Sequence, residues 1–246
     1  MTYPACTGKY LKAKFPQTDF EIINGSIPYG TSAEILIHYL LKFRYYKPDM
    51  VVINEGGNDA QALCTKNYQP DYSNWRKNLA SIPPVGKFTK TLLTSNFFSV
   101  LAYHLFYSEF SQGDMFVHDG SQLLAPWYDG QAIDAYNNIE EFAFYRNIKT
   151  VVNEILTDSS KVILLSFQGN PKYTGVYEET KYYDFNEAIL KRIAEEKNVY
   201  FLPFPKDRIP LNTWVDDCHL NEEGERIKGD YTGAFIQQNI LTALGK

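Results

Sequence analysis

The C-terminal part of the chain carries an acid–base pair at a spacing that suits proton transfer. Asp216 and His219 are separated by two residues in the segment 214–221, which follows a predicted strand. A turn at this spacing can fold the carboxylate onto the imidazole, fixing the ring tautomer and stabilising the imidazolium formed when the ring takes a proton. Asp217 competes with Asp216 for this role. Trp214 is the aromatic residue best placed to line such a site.

A second polar group follows an earlier predicted strand, in the turn Glu-Gly-Gly-Asn-Asp at residues 55–59. Its glycines permit a tight turn, so that Asn58 can aim its side-chain amide into a site. Such a donor stabilises the oxyanion of a tetrahedral intermediate, and its loss typically costs about 10²–10³ in rate. Asp59 is a candidate substrate-binding residue beside it. The alternative is a purely structural turn, because Asn and Asp are common turn formers.

The elements that would position these residues alternate between strand and helix. Apolar runs predict four strands, at 20–24, 50–54, 161–166 and 198–203. Helical spacing predicts one helix that opens at 31–34 with Ser32 as its N-cap, and others at 135–156, 182–197 and 222–244. This alternation predicts an α/β fold with a parallel sheet and right-handed crossovers. Ligands bind at the carboxyl ends of such strands, so the segments 24–32, 56–59 and 214–221 should converge on one rim.

We predict a single domain over residues 1–246, with an insertion at about 60–131 where the alternation breaks. One helical stretch, at about 92–110, stands out within it. A region of this length between a strand and the next regular unit is unusual unless it is functional, which suggests a lid or substrate-binding cap. A structural excursion that does not contact substrate is the alternative.

Composition excludes several classes of protein. The net charge of −5 argues against a nucleic-acid partner. No apolar run approaches the roughly 20 residues that span a bilayer. The sequence contains neither of the glycine-rich phosphate-binding motifs Gly-x-Gly-x-x-Gly and Gly-x-x-x-x-Gly-Lys-Ser/Thr, so no cofactor is predicted. Neither the three cysteines nor the remaining histidines have zinc-like spacing, and no metal is predicted; Asp216, Asp217 and His219 could bind a cation, but no further ligand stands out.

Four segments resemble, in order and spacing, the second, third and fifth sequence blocks of SGNH/GDSL hydrolases. These segments are 24–32, 47–49, 56–59 and 216–221. The resemblance implies a flavodoxin-like three-layer α/β/α fold and hydrolysis of esters through an acyl-serine intermediate.

The resemblance also implies roles for individual residues. His219 would be the general base, Asp216 its orienting partner and Asn58 an oxyanion donor. The family's second donor is a backbone N–H of a glycine in the second block. Gly30 is our assignment for it, while Tyr29 and Gly25 remain open, and Tyr29 is also a candidate substrate contact.

One block departs from the family pattern, because the nucleophile motif Gly-Asp-Ser occurs nowhere in the sequence. Tyr3-Pro4 resembles the position just after that block, so we expect the serine and its strand to precede Met1 and this chain alone to be inactive. Two alternatives are a non-catalytic relative that binds a glycan or another partner, and an unrelated nucleotide- or sugar-binding α/β protein. The expected partner is a small-molecule or glycan ester. Loop aromatics would suit an acetylated sugar, namely Tyr68, Tyr72, Trp75, Trp127, Tyr128 and Trp214.

Overall fold

The structure, a computed structural model, describes residues 1–27, 30–64, 68–72, 138–173 and 179–242. The chain divides into two compact units, residues 1–60 with 136–246 and residues 61–135. The predicted insertion falls on the second unit, and its predicted helix at 92–110 lies outside the described residues. Within the second unit, Tyr68 and Tyr72 are buried and pack edge to face, with ring centroids 6.4 Å apart.

Three parallel strands form the sheet of the first unit, in the order β1-β2-β3. They are β1 (Met50–Asn54), β2 (Lys161–Leu165) and β3 (Tyr200–Leu202). Asn54 lies opposite Leu165, and Leu165 opposite Leu202, so the three carboxyl ends are level. The three strand predictions in these regions are confirmed, with the third strand shorter than predicted. Central parallel strands are covered on both faces, which explains their apolar runs.

The predicted strand at 20–24 is wrong, because these residues form no strand in the structure. Ile22 and Ile23 are 39% and 43% exposed. Among the described residues no neighbouring strand pairs with this segment, and a strand without a ladder partner leaves its backbone groups without protein hydrogen bonds. The apolar run packs locally instead: Phe20 lies edge to face with Phe15, with ring centroids 6.3 Å apart.

Helices cover both faces of the sheet. Six α-helices occur in the described ranges: α1 (Tyr3–Lys14), α2 (Ser32–Leu41), α3 (Gly57–Cys64), α4 (Ala143–Thr157), α5 (Glu179–Lys197) and α6 (Glu222–Ile236). Val162 and Leu164 of β2 point into a core shared with α2, α4 and α5. Ile163 and Leu165 point into the opposite core, shared with α1 and α6. The result is the predicted three-layer α/β/α arrangement.

The helix termini differ from the predicted ones for local reasons. The N-cap of α2 is Thr31 rather than Ser32. Thr31 is extended; its backbone N–H donates to Glu34 Oε2 at 2.8 Å, and its hydroxyl accepts from Ala33 N at 3.4 Å. This reciprocal capping box satisfies donors that the first helical turn leaves unpaired. The last helix ends at Ile236 and continues as a short π-helical turn over Gln237–Leu241. No helix in the described part of the chain is long and apolar enough to cross a bilayer.

Close packing of α1 against α6 produces a testable prediction at Gly229. A Cβ atom at this position would lie 2.4 Å from Cys6 Cβ and 2.7 Å from Tyr3 O. Gly229→Ala therefore forces the two helices apart, and overpacking of this kind costs about 1–3 kcal/mol. Urea unfolding followed by circular dichroism measures the loss. The exposed α1 substitution Lys12→Ala is the control and should change stability by less than about 0.5 kcal/mol; equal stability of the two variants would contradict the packing.

Candidate active site

Asp216 and His219 form a hydrogen-bonded pair. His219 Nδ1 lies 2.8 Å from Asp216 Oδ2 and 3.0 Å from Oδ1. The same carboxylate accepts the backbone N–H groups of Cys218 at 2.9 Å and His219 at 2.7 Å. Partial burial raises the pKa of Asp216, but these backbone and ring hydrogen bonds outweigh it and hold the pKa below its usual value. Asp216, not Asp217, therefore orients the ring.

A short antiparallel loop presents this pair. Trp214 and Leu220 form a β-bridge, and Val215 N donates to His219 O at 2.9 Å. Asn221 then caps α6, because its Oδ1 accepts from Glu223 N and Gly224 N at 3.1 and 3.0 Å. The His219 side chain is 74% exposed and that of Asp216 47%. The loop contacts therefore hold the backbone of the pair, while both side chains stay accessible to solvent.

Trp214 lies beneath the site rather than on its surface, in contrast to its predicted role as a substrate contact. It is only 9% exposed and packs beside Phe204, with ring centroids 5.9 Å apart. Ile209, Leu220 and Ile227 complete this cluster. Its indole N–H is buried without a hydrogen-bond acceptor among the described residues. The ring anchors one end of the Asp216–His219 loop, because burying its apolar surface in this cluster lowers the free energy more than leaving it exposed at the rim would.

Asn170 is a positioning residue that the sequence analysis missed. It is buried, its side-chain amide donates to Asp216 O at 3.0 Å, and its backbone N–H donates to Asp217 O at 2.7 Å. Its Oδ1 accepts from Lys172 N at 3.0 Å. A Cβ atom at Gly169 would lie 3.1 Å from Asp217 O, so glycine permits this close approach. The available signal was its position, just after a predicted central strand.

Asn58 and Gly30 are also brought together, because Asn58 Nδ2 donates to Gly30 O at 2.6 Å. Asn58 lies in the first turn of α3, just after Gly56, whose φ of +131° favours glycine. The loop after β2 reaches this group as well: a Cβ atom at Gly57 would lie 3.0 Å from the Phe167 ring. Through Phe167 on one side and Asn170 on the other, that loop connects the Asn58 turn with the Asp216–His219 pair.

Asp59 is fully buried, which places it behind the rim rather than at a substrate-contacting position. Its Oδ2 accepts from Ser32 N at 2.9 Å and its Oδ1 from Ser32 Oγ at 2.5 Å. Asn147 Nδ2 donates to the same hydroxyl at 3.1 Å. These bonds tie the start of α2 to α3 and α4, and so fix the position of the adjacent Gly30.

The second predicted oxyanion donor is engaged in a turn. Gly30 N donates to Ile27 O at 3.2 Å, a bond with which an oxyanion would have to compete. Tyr29 lies outside the described residues. Gly25 lies against the Phe43 side chain, since a Cβ atom at Gly25 would lie 3.0 Å from the Phe43 ring. The three alternatives for this donor therefore stay open.

Two ionisable groups at the carboxyl end of β1 are perturbed by burial. Burial, followed by repulsion from Asp59, raises the pKa of Glu55 well above its usual range, although Gly56 N donates to Glu55 Oε1 at 3.0 Å. Burial lowers the pKa of Lys228 to about 8, and its Nζ donates to Asn54 Oδ1 at 2.5 Å. Neither group touches His219, whose ring contacts only Asp216 and Cys218 through polar atoms of the described residues.

Comparison with known proteins gives one family and several similar structures. The model of the GDSL-like lipase/acylhydrolase family matches residues 2–227. An acetyl xylan esterase from Geobacillus stearothermophilus is 15% identical, with a TM-score of 0.57 over 96% of this chain and 80% of that one. An alpha/beta hydrolase enzyme from the metagenome of Lake Arreo, Spain, is 13% identical, with a TM-score of 0.58 over 95% and 80%.

The acetyl xylan esterase AlAXEase is 15% identical, with a TM-score of 0.56 over 96% of this chain and 90% of that one. At these identities the likeness to solved structures concerns the fold, which is the SGNH hydrolase fold. A search of curated proteins finds no significant match.

The Asn170 hydrogen bonds predict that Asn170→Asp loosens the Asp216–His219 loop. The new carboxylate keeps the acceptor for Lys172 N but removes the donor to Asp216 O, and an unsatisfied buried group costs about 1–3 kcal/mol. Urea unfolding measures the loss, and amide hydrogen exchange over residues 214–221 should accelerate. Asn153→Asp, on the exposed face of α4, adds the same charge elsewhere and is the control. Native exchange rates in Asn170→Asp would refute the positioning role.

The raised pKa of Glu55 predicts a pH-dependent gain from Glu55→Gln. Because the native state binds this proton more tightly than the unfolded chain, native stability falls as pH rises from the ordinary carboxyl range toward the native pKa. Glutamine keeps an acceptor for Gly56 N and does not titrate. The variant and the native protein should have equal unfolding stability at about pH 4, and the variant should be more stable at about pH 8. Thermal unfolding at both pH values measures this, with the exposed Glu141→Gln as control; a variant less stable at the higher pH would contradict the assignment.

Proposed function

The chain belongs to the GDSL-like lipase/acylhydrolase family, and from that premise we propose that it supplies the general base and oxyanion-binding half of a serine ester hydrolase. The observation that carries the proposal is the hydrogen bond of 2.8 Å between Asp216 Oδ2 and His219 Nδ1. The carboxylate holds the proton on Nδ1, which leaves Nε2 with a lone pair. The exposed ring can then accept a proton from a nucleophile.

The proposed reaction proceeds through an acyl-serine. His219 Nε2 takes the hydroxyl proton as the serine oxygen bonds to the ester carbonyl carbon, and the carbonyl electrons move onto oxygen. The imidazolium, stabilised by Asp216, gives that proton to the leaving alcohol as the ester C–O bond breaks. Water, activated by the same nitrogen, then releases the acid and restores the serine.

Asn58 is the proposed side-chain donor to the oxyanion. An amide carries two N–H groups, and the bond to Gly30 O uses one of them, so the second can point to the site. A backbone N–H of Gly30, Tyr29 or Gly25 would complete the hole. The Ser32–Asp59 bonds support this arrangement by fixing the segment that carries Gly30. Rigid donors stabilise charge without reorganisation during the reaction.

Within the ranges that the structure describes, no residue is placed to act as the nucleophile. Among the described residues no serine or threonine hydroxyl lies within hydrogen-bonding distance of the His219 ring. The outer edge of β1 is unpaired within the same residues. A further parallel strand at that edge would end level with Asn54 and near Asn58. We therefore propose that a Gly-Asp-Ser segment must occupy this edge for turnover, and that these 246 residues alone turn over little or no ester.

Three of the similar structures support the assignment of the pair. They are catalytic mutants of an acetylxylan esterase from Geobacillus stearothermophilus, in which a serine, a histidine and an aspartate are each replaced by alanine. The replaced aspartate and histidine are three positions apart, as Asp216 and His219 are. The substrate class of that esterase makes an acetylated glycan the preferred candidate here. The half-buried Phe167 is an aromatic surface for it on the rim.

Extension of the chain tests the mechanism. The 246-residue chain should not be labelled at a serine by a fluorophosphonate probe, whereas a version extended at its N-terminus by a strand and Gly-Asp-Ser should be. In the extended protein, His219→Ala should lower ester turnover by about 10²–10⁴. A folded, unlabelled extension would favour the second candidate, a non-catalytic glycan-binding protein, which the absent hydroxyl contact also supports. Labelling of the unextended chain would show that the nucleophile lies within it.

Acetate release tests the substrate class. The extended protein should release acetate from acetylated xylo-oligosaccharides with a higher kcat/KM than from a short aryl acetate. Phe167→Ala should lower the first value more than the second, because stacking on a sugar ring requires the aromatic face, whereas both substrates share any effect on the neighbouring Asn58 turn. Inactivity on every acetylated glycan together with turnover of the aryl ester would reject the glycan assignment and keep the esterase.

A further inference from the structure

Cys218 lies against the same ring nitrogen that the Asp216 carboxylate engages. Its Sγ is 3.4 Å from His219 Nδ1. One carboxylate oxygen of Asp216, the Cys218 sulfur and a ring nitrogen of His219 all lie within 4.8 Å of one another. From spacing alone, Asp216, Asp217 and His219 are the predicted candidate ligands here. The fold adds a thiol and places it next to them.

These donors match the preferences of a thiophilic divalent cation. Thiolate, imidazole and carboxylate are all zinc ligands, and donor atoms around a tetrahedral zinc ion are about 3.3–3.6 Å apart. The separations here require only small side-chain rotations. Asp216 is held in place by the backbone N–H groups of Cys218 and His219, so part of the site is already ordered. Because His219 is exposed, a water molecule can complete the tetrahedron.

We propose that Asp216, Cys218 and His219 form a binding site for a thiophilic divalent cation such as Zn²⁺, and that its occupancy switches off the proposed general base. The second part rests on the proposed function, whereas the binding itself does not. The site is inhibitory, because it uses the atoms that the acid–base pair needs.

The proton balance explains the inhibition. To bind the cation, Cys218 loses its thiol proton to solvent, and His219 must offer the Nδ1 lone pair. The ring proton then resides on Nε2, because a neutral imidazole carries only one. Asp216 Oδ2 leaves the ring nitrogen for the cation, while Oδ1 keeps the backbone N–H groups of Cys218 and His219. A ring protonated on Nε2 cannot accept a proton from a nucleophile, so the general base is lost without any change in fold.

Co²⁺ and Zn²⁺ titrations of the 246-residue chain test the site, with Cys218→Ala as the matched variant. The native chain should bind one ion at micromolar protein concentration, and Co²⁺ should produce a thiolate-to-metal charge-transfer absorption that Zn²⁺ removes. Cys218→Ala should lose this absorption and bind Zn²⁺ at least about tenfold more weakly. Its backbone N–H to Asp216 Oδ1 remains, so the acid–base pair is retained.

The outcomes separate this inference from the proposed function. Equal Zn²⁺ affinity of the native chain and Cys218→Ala, or no charge-transfer absorption, would overturn the metal site whatever the hydrolytic activity. In the extended protein, Zn²⁺ should inhibit the native form at concentrations at least about tenfold lower than those needed for Cys218→Ala. Metal binding without any ester turnover in that protein would keep the site and reject the esterase. Equal inhibition of both forms would reject the switch.

Discussion

Pairing of β2 on both of its edges is the constraint on which the rest of the structure depends. Four of its five side chains are buried, and alternate ones enter the two cores. A strand fixed on two edges and two faces has no freedom to slip in register, since a shift of one residue would exchange its faces. The loop after β2 therefore starts from a rigid point, and this fixes the positions of Phe167 and Asn170 within it.

Buried polar contacts behind the rim allow an exposed acid–base pair to keep its geometry. Surface ion pairs alone contribute little, because solvent screens them and their side chains must be ordered. Here the order comes from the backbone: Asn170 holds the carbonyl groups of Asp216 and Asp217, and Asn221 fixes the end of the same loop at the start of α6. The side chains then need no burial of their own.

Burial assigns different roles to residues of the same type. Asp216 is about half exposed and faces a histidine, whereas Asp59 is fully buried and bonded to Ser32. Trp214 likewise anchors a loop from below, while Phe167 remains partly open at the rim. Cys218 shows the same principle, because the turn that aligns Asp216 with His219 also brings a sulfur atom to the ring. One short loop thereby carries both the proposed general base and the proposed metal site, which share atoms and cannot operate together.

The sequence by itself determined three of the four predicted strands, the α/β alternation, and the short spacing that lets Asp216 meet His219. These depend on local apolar runs and on short-range turns, whose information lies within a few residues. Tertiary structure alone decided that Asp216 rather than Asp217 meets the ring, that Asn170 supports the loop, and that Trp214 and Asp59 are buried. It also decided that residues 20–24 form no strand, although their composition favours one. Strand formation and burial depend on partners distant in sequence, and spacing along the chain does not specify which partner is present.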